Sequence, residues 1–295
     1  MGLKITSLAS GSNGNCYYIG NEEEAVLIDA GISCRETEGR MRRLGLSMTQ
    51  VKAIFVSHEH SDHIKGLPVL AKKYQLPVYI TPGTYNRLRF GLDTQLLRSF
   101  SAYEPAQVGN LSITGFPKRH DAADPHSFLI SANGINVGVF TDIGSPCDHV
   151  IRQFQLCHAA FLETNYDEEM LENGRYPYHL KARIRGNHGH LSNRQALNLF
   201  TGYKPSFMSH VLLGHLSKDN NCPKLVQNLF STHADGTQVV VASRYEETPV
   251  FTIEGPPVLL QVPPLQEVQK ESVPALKVSR RKPKQAPSQL TLDLF

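Results

Sequence analysis

The chain has 295 residues, a formal net charge of +3 and 40% hydrophobic residues, which is enough for a sizeable core in one large domain or two. It contains no apolar run long enough to span a membrane, and its first residues lead directly into a predicted strand, so a membrane protein and a signal peptide are excluded. The five cysteines are scattered without a CxxC pair, which predicts free thiols and a cytoplasmic location.

The first predicted elements are a strand over residues 3–8, a polar turn over residues 10–15 and a returning strand over residues 16–19. The turn is longer than a hairpin needs. It is therefore either a plain hairpin or a loop whose backbone N–H groups face a substrate. A buried strand then ends in the acid Asp29, and an amphipathic helix is predicted over residues 33–44.

A histidine-rich loop follows the apolar, β-rich run of residues 53–56, which is predicted as a buried strand. Four residues of this loop are of the types that bind zinc and similar divalent ions: His58, His60, Asp62 and His63. The first two histidines are two residues apart, so on an extended chain they point the same way and can share one metal. The next two residues can reach a second metal. The alternative is a polar loop that is rich in histidine by chance. A helix is predicted over residues 62–75, and residues 81–109 show no clear pattern.

Three further ligand-type residues follow predicted strands: His120, Asp142 and His215. Two protein ligands are too few for one metal, so His120 is predicted as the third ligand of the first metal. Asp142 has two carboxylate oxygens and could bridge two metals, although on its own it could equally be an ordinary strand-end acid. His215 is predicted as the last ligand of the second metal. Glu163, at the end of another apolar run, is predicted to be structural.

Basic and aromatic residues cluster around residues 174–185. This cluster is either a solvated helix face or a patch that binds a phosphate backbone while Tyr176 or Tyr178 stacks on a base. The predicted substrate contacts are Arg175, Tyr176, Lys181 and Lys218. His190 precedes the predicted helix cap Ser192 and could contact an anionic substrate or donate a proton.

Seven sequence motifs together resemble the bacterial YycJ/WalJ-type metallo-hydrolases of the metallo-β-lactamase-fold superfamily. They are SLASGSNGNCYYI, VSHEHSDHIKGL, RHDAADP, FTDIG, GRYP, GHLSN and LGHLSKDNN. The resemblance covers about residues 3–245, and HLSKDNN and GHLSN are more specific than the superfamily pattern HxHxDH. It implies an α/β fold, a four-layer αβ/βα sandwich of two mixed β-sheets with outer helices. Spacing and periodicity alone support only an α/β metal-dependent hydrolase.

The resemblance also implies a two-metal site, with zinc or manganese, and a 5′-exonuclease-like action on DNA. The implied metal ligands are His58, His60, Asp62, His63, His120, Asp142 and His215. Asp142 would be the bridging ligand, and Asp29 would support the histidine-rich loop without contacting a metal. Asp62 and His190 are the predicted catalytic residues. Two alternatives remain open: a thioester or other acyl hydrolase with the same ligands, and a metal-stabilised binding module.

The predicted hydrolase domain spans residues 1–254, and residues 255–295 form a proline-rich, basic tail that is predicted to be disordered. Residues 265–295 hold six Lys and Arg against three Asp and Glu, so the whole positive excess lies in this tail. Its end resembles the Gln-x-x-Leu-x-Leu/Phe peptide that docks bacterial DNA enzymes on the replicative sliding clamp, through Gln289, Leu292, Leu294 and Phe295. The alternative is an apolar end that packs on its own domain.

Overall fold

The structure is a computed structural model that describes residues 2–255. The predicted clamp-binding motif at residues 289–295 and nearly all of the predicted tail lie outside the described residues. The five cysteines all lie within them and are free thiols, as the sequence predicts. No helix among residues 2–255 is long and apolar enough to cross a bilayer.

Two mixed seven-stranded sheets form the centre of the fold. The strands of the first sheet are β1 (Leu3–Ala9), β2 (Cys16–Gly20), β3 (Ala25–Ile28), β4 (Val51–Phe55), β5 (Val78–Tyr79), β6 (Leu97–Arg98) and β14 (Phe251–Ile253). Those of the second sheet are β7 (Pro105–Val108), β8 (Leu111–Pro117), β9 (His126–Ala132), β10 (Ile135–Phe140), β11 (Ala159–Glu163), β12 (His210–Gly214) and β13 (Gln238–Val241).

The two sheets have the same succession of strand pairings. The first has the order β14-β1-β2-β3-β4-β5-β6, with three antiparallel pairings followed by three parallel ones. The second has the order β7-β8-β9-β10-β11-β12-β13, with the same three antiparallel and three parallel pairings. Strand β3 in the first sheet therefore corresponds to β10 in the second, and β4 corresponds to β11.

The part of the chain that the structure describes also contains helices, some of which cover the outer faces of the sheets. They are α1 (Cys34–Arg43), α2 (Ser61–Ile64), α3 (Leu67–Tyr74), α4 (Pro82–Tyr85), α5 (Asp148–Phe154), α6 (Glu168–Asn173), α7 (Tyr178–Arg185), α8 (Asn193–Tyr203) and α9 (Pro223–Ser231). The predicted helix over residues 33–44 is confirmed as α1, whose N-cap Ser33 forms a capping box with Glu36. The helix predicted over residues 62–75 is divided at Gly66 into α2 and α3.

Three apolar layers hold the sheets and helices together. The central layer joins the facing sides of the two sheets, where the Phe55 ring meets the Phe128 ring edge-on at 5.8 Å and Tyr17 meets Phe161 at 4.9 Å. A second layer packs α1 and α3 on the first sheet, and a third packs α5, α8 and α9 on the second sheet. This arrangement is the four-layer αβ/βα sandwich that the sequence predicts.

Candidate metal centre

Residues from six chain segments meet at the carboxyl ends of the parallel strands, where α/β proteins place their functional sites. These residues are Asp29 after β3, the loop of residues 57–63 after β4, His120 after β8, Asp142 after β10, Glu163 at the end of β11 and His215 after β12. Both sheets therefore contribute side chains to one cluster, which borders a cavity of about 260 Å³.

Three of these residues have positive backbone φ angles, which non-glycine residues seldom adopt: 63° for Asp29, 54° for Asp142 and 56° for His215. Asp29 and His215 lie directly after a strand, and Asp142 lies two residues after one. The left-handed backbone turns the chain sharply there, so the side chain enters the cluster while the chain turns away. Strained backbone of this kind is concentrated at functional sites, because the surrounding structure must hold it in place.

The first group of ligand-type atoms belongs to His58, His60 and His120. The Nδ1 atom of His60 lies 3.1 Å from Nε2 of His58 and 3.3 Å from Nε2 of His120. Three ring nitrogens that converge to this extent form a group that could hold one metal ion. The structure thus brings together the three histidines that the sequence analysis assigns to the first metal.

The second group contains Asp62, His63 and His215, the residues that the sequence analysis assigns to a second metal. Oδ2 of Asp62 lies 3.4 Å from Nε2 of both histidines. Asp142 lies between the two groups. Its Oδ2 is 3.0 Å from Nε2 of His63, and its Oδ1 is 3.5 Å from Nε2 of His215 and 3.8 Å from Nε2 of His120.

Four of the histidines are anchored through Nδ1, which leaves Nε2 directed at the centre. The Nδ1 atoms face a hydroxyl, a carbonyl or a carboxylate: His58 faces Ser57 Oγ at 2.9 Å, His63 faces Asp29 Oδ2 at 2.7 Å, His120 faces Gly189 O at 2.9 Å and His215 faces Glu163 Oε1 at 3.1 Å. An Nδ1–H that donates to such a partner leaves an unprotonated Nε2, the form that binds a metal. Oδ2 of Asp142 is buried and has no hydrogen-bond partner. The donor set therefore fits a divalent cation.

The electrostatics of the cluster also favour added positive charge. Burial disfavours protonation of His63 and His215, yet the carboxylates of Asp142 and its neighbours raise the pKa of His63 well above its ordinary value. They raise the pKa of His215 to about 10. Burial lowers the pKa of His120 to about 3. A bound divalent cation would replace the protons that the carboxylates hold on the first two rings, since metal ligation requires neutral imidazole.

Asp29 lies beneath the histidine-rich loop, and its side chain accepts hydrogen bonds from that loop. Its Oδ1 accepts from Ser57 N at 2.8 Å, and its Oδ2 accepts from Ser57 Oγ at 2.8 Å and from His63 Nδ1 at 2.7 Å. The side chain is completely buried. Asp29 is therefore placed to orient ligand-type residues rather than to reach the centre itself.

Glu163 is part of the cluster, which the sequence analysis did not anticipate when it assigned this residue a structural role. Oε1 accepts from Nδ1 of His190 at 2.7 Å and from Nδ1 of His215 at 3.1 Å, while Oε2 accepts from Ile143 N at 2.6 Å. Although burial opposes ionisation, His190 helps to lower the pKa of Glu163 to about 2. The signal available in the sequence was the strand-end position, which Glu163 shares with Asp29 and Asp142.

The polar turn after β1 forms hydrogen bonds with the histidine-rich loop. Asn15 N donates to the Asp62 carbonyl at 2.8 Å, and Asn15 Nδ2 lies 3.2 Å from both Asp62 Oδ2 and His63 Nε2. His215 N donates to Ser10 Oγ at 2.7 Å. The plain-hairpin interpretation is therefore incomplete. Ser12 lines the cavity. Asn15 and Ser10 instead form hydrogen bonds with residues of the cluster.

The predicted substrate contacts lie outside the cluster itself. Tyr176 donates through its hydroxyl to Asp219 Oδ2 at 3.0 Å, and Lys181 Nζ donates to the Glu172 carbonyl. Arg175 is in the segment between α6 and α7, and Lys218 lines a separate surface cavity with Leu216 and Tyr245. Their roles in substrate binding stay predictions.

Comparisons with known proteins identify relatives of the chain. Residues 24–215 match the family model described as "Beta-lactamase superfamily domain". The chain is 38% identical over 230 residues to the exodeoxyribonuclease YycJ of Bacillus anthracis, covering 77% of this chain and 87% of that protein. It is 30% identical over 230 residues to the exodeoxyribonuclease WalJ of Streptococcus pneumoniae serotype 2, covering 76% and 86%. The crystal structure of Zn²⁺-bound PqqB from Methylobacterium extorquens covers 85% of this chain and 100% of its own, with a TM-score of 0.67 and 14% identity, so it bears on the fold alone.

Proposed function

This chain belongs to the β-lactamase superfamily and, within it, to the family of the exodeoxyribonucleases YycJ and WalJ, and we propose that it is a DNA exonuclease that acts from 5′ ends. It is a metal-dependent hydrolase. The observation that supports a two-metal site is the pair of adjacent ligand groups with the buried carboxylate of Asp142 between them, within 3.8 Å of ring nitrogens from both groups. DNA is favoured as the substrate because both relatives are exodeoxyribonucleases.

In this proposal His58, His60 and His120 hold one divalent ion, zinc or manganese, and Asp62, His63 and His215 hold the other. Asp142 lies between the groups and would contact both ions. Bound divalent ions supply Lewis acidity to a phosphodiester and lower the pKa of water at neutral pH. The protein keeps the ligand set oriented through Asp29 and Glu163, which accept from the Nδ1 atoms of His63 and His215.

His190 is the proposed proton donor to the leaving oxygen. Its ring lines the cavity, with centroid distances of 5.2 Å to His120 and 5.3 Å to His215. Its Nδ1 lies 2.7 Å from Oε1 of Glu163, and this hydrogen bond orients the ring. Asp62 also lines the cavity and is the second proposed catalytic residue. Arg175, Tyr176, Lys181 and Lys218 are proposed to contact the substrate.

The proposal is tested by digesting single- and double-stranded DNA and RNA, labelled at either end, with metal-reconstituted protein. Release of mononucleotides from the 5′ end of DNA is expected. Elemental analysis should show about two divalent ions per chain. Faster cleavage of RNA, release from the 3′ end or one ion at full loading would each contradict the corresponding part of the proposal. Preferential cleavage of a thioester would favour the acyl-hydrolase alternative.

The assigned roles are tested by variants of the two proposed catalytic residues. Asp62→Ala should abolish turnover while the fold is retained. His190→Ala should lower kcat more than it raises KM, because proton donation acts in the transition state. His188→Ala is the matched control, since His188 is exposed and does not line the cavity. Equal kcat for the His190 and His188 variants across the pH range would remove His190 from the mechanism.

We also propose that residues 289–295 dock on the replicative sliding clamp. The support is the motif alone, in which Gln289 would make a directional hydrogen bond and Leu292, Leu294 and Phe295 would fill an apolar groove. A labelled peptide of residues 285–295 should bind the cognate clamp with a Kd on the order of 1 μM. A peptide with Gln289→Ala and Leu292→Ala is the control and should not bind. Absence of clamp binding by both the wild-type peptide and the full chain would contradict the proposal.

A further inference from the structure

A groove of about 620 Å³ lies beside the candidate metal centre. His60 and Ser61 line both this groove and the cavity at the metal centre, so the two spaces adjoin. The other wall includes cationic and aromatic side chains from the end of α2 and from the segment after α4: Lys65, Arg87, Arg89 and Phe90. The segment after α4 lies within residues 81–109, where the sequence shows no clear pattern.

The cations of this groove form no ion pair within residues 2–255. The side chains of Lys65, Arg87 and Arg89 are exposed, and across residues 2–255 none of them forms a hydrogen bond or a salt bridge. The groove wall contains the acid Glu59, whose Oε1 accepts from Ala123 N at 2.8 Å, so three cations face one carboxylate. The groove therefore presents excess positive charge next to the metal centre.

The basic face of α7 differs in this respect. Arg183 bonds to Asp121 Oδ2 at 2.5 Å, and Arg185 bonds to Glu172 Oε2 at 2.8 Å. A cation that already has an acidic partner gains less from a phosphate than a free one, because the existing ion pair must be given up. Arg183 lines the cavity at the metal centre, but the cations of the groove beside His60 have no such acidic partner within residues 2–255.

We propose that this groove binds the single-stranded segment of the substrate that adjoins the scissile phosphodiester. This inference rests on the proposed nuclease function and specifies how its substrate is held. Lys65, Arg87 and Arg89 contact successive phosphates, and Phe90 provides a face on which a base stacks. Free cations together with an aromatic ring are the combination by which proteins bind single strands without reading their sequence.

The test replaces all three groove cations, Lys65→Ala, Arg87→Ala and Arg89→Ala, in the full-length, metal-loaded protein. The matched control also removes three positive charges: Arg42→Ala, Lys52→Ala and Lys72→Ala. Arg42 and Lys72 lie in the last turns of α1 and α3, and Lys52 lies at the start of β4, so all three are at the end of the strands opposite the metal centre. None of them lines the groove.

Binding is measured by fluorescence anisotropy with a labelled phosphorothioate oligothymidylate, which resists hydrolysis. The groove variant should bind at least about tenfold more weakly than the control at low salt. The slope of log K against log[salt] should become shallower by about 2, since each single-strand phosphate contact contributes about 0.7. The control variant should hydrolyse a small chromogenic phosphodiester at the wild-type rate, because none of its three substitutions lines the groove.

A second pair of variants tests stacking. Phe90→Leu keeps an apolar side chain against the core but removes the ring, and it should weaken oligonucleotide binding about tenfold. Phe90→Tyr keeps the ring and should bind as the wild type does. Equal affinity and equal salt slope for the groove and control triple variants would overturn the inference. If the wild-type protein binds the oligonucleotide through the groove but hydrolyses no nucleic acid, the proposed function fails while the groove assignment stands.

Discussion

The two sheets place an aspartate at the same strand-end position, but the two aspartates have different contacts. Strands β3 and β10 occupy corresponding places in the two sheets, and each is followed by an Asp-x-Gly sequence, residues 29–31 in the first half and 142–144 in the second. Both aspartates have a positive φ and are buried. The fold therefore provides the same backbone turn and the same carboxylate twice.

The two carboxylates differ in their hydrogen bonds. Asp29 accepts three bonds from the histidine-rich loop, so both of its oxygens are engaged. Asp142 keeps Oδ2 without a hydrogen bond, 3.0 Å from His63 Nε2. A carboxylate whose oxygens accept hydrogen bonds fixes the groups that donate them, whereas a buried carboxylate that faces the Nε2 atoms of ligand-type histidines is available to a cation. The comparison shows that the role of a site residue depends on what already occupies its lone pairs.

The substitution Asp142→Asn gives the strongest test of the difference between Asp142 and Asp29. An amide is neutral and a poor metal ligand, so kcat/KM should fall about a thousandfold, equivalent to ~4 kcal/mol of activation free energy. Steady-state kinetics over a range of metal concentrations measure the effect. Activity should not return at high metal, because the missing contact is to the metal itself. Recovery at high metal would mean that Asp142, like Asp29, only orients other residues.

Metal removal should destabilise both halves together, because each contributes side chains to the cluster. Chelation should lower the free energy of unfolding by about 3 kcal/mol relative to protein with free metal at a hundred times Kd. For a domain of this size the loss corresponds to a fall in Tm on the order of 10 °C. Thermal unfolding with EDTA, and after zinc or manganese is added back, measures it. Two separate transitions in EDTA would show that the halves unfold independently.

The glycines of the two Asp-x-Gly sequences should differ in their tolerance of a methyl group. A Cβ at Gly31 would lie 1.7 Å from the Asp62 carbonyl oxygen, and one at Gly144 would lie 2.3 Å from the Asn187 carbonyl oxygen. Gly31→Ala should therefore destabilise the fold by about 2–3 kcal/mol, and Gly144→Ala by less.

The matched control for these variants is Gly202→Ala in α8. A Cβ at Gly202 meets nothing within 4 Å, so this substitution should stabilise the fold by about 0.5–1 kcal/mol through helix propensity. Urea unfolding at equilibrium compares the three variants. The steric interpretation fails if Gly31→Ala is as stable as the wild type.

Asp29→Asn should have the smallest effect on activity and sharpens the contrast with Asp142. Oδ1 can still accept from Ser57 N, but the negative charge that holds His63 Nδ1 is lost. Metal affinity should fall about 10–100-fold, as it does when such supporting partners are removed. Metal titration monitored by activity measures the change, and excess metal should restore kcat. A loss that excess metal does not restore would place Asp29 among the ligands.

Local patterns account for what the sequence predicts well. His58, His60, Asp62 and His63 are close in the chain, so their spacing already indicates a shared site. The fold class also follows from the sequence, through the resemblance of several motifs rather than through periodicity. The helix predicted over residues 62–75 is wrong at its centre, because Gly66 lies against the Ile32 carbonyl and the chain turns there.

Contacts between distant segments account for what the sequence does not predict. Asn15 and Asp62 are 47 residues apart, and Ser10 and His215 are 205 apart, so no local spacing connects them. Glu163 appears in the sequence as one more strand-end acid until its bonds to His190 and His215 are seen. The groove cations Arg87 and Arg89 lie in a segment without periodicity, and only the fold places them beside His60.

The edges of both sheets are very short. Strands β6 and β14 have two and three residues, and β7 and β13 have four each, whereas β1 has seven. A short edge offers few free backbone N–H and C=O groups to a neighbouring molecule, which protects against edge-to-edge aggregation. β14 covers β1, and Thr248 bonds to Ser7 N and to Thr6 beside it. A polypeptide that ended at residue 246 would expose the long strand β1 as a new edge, and its solubility rather than its catalytic chemistry would be lost first.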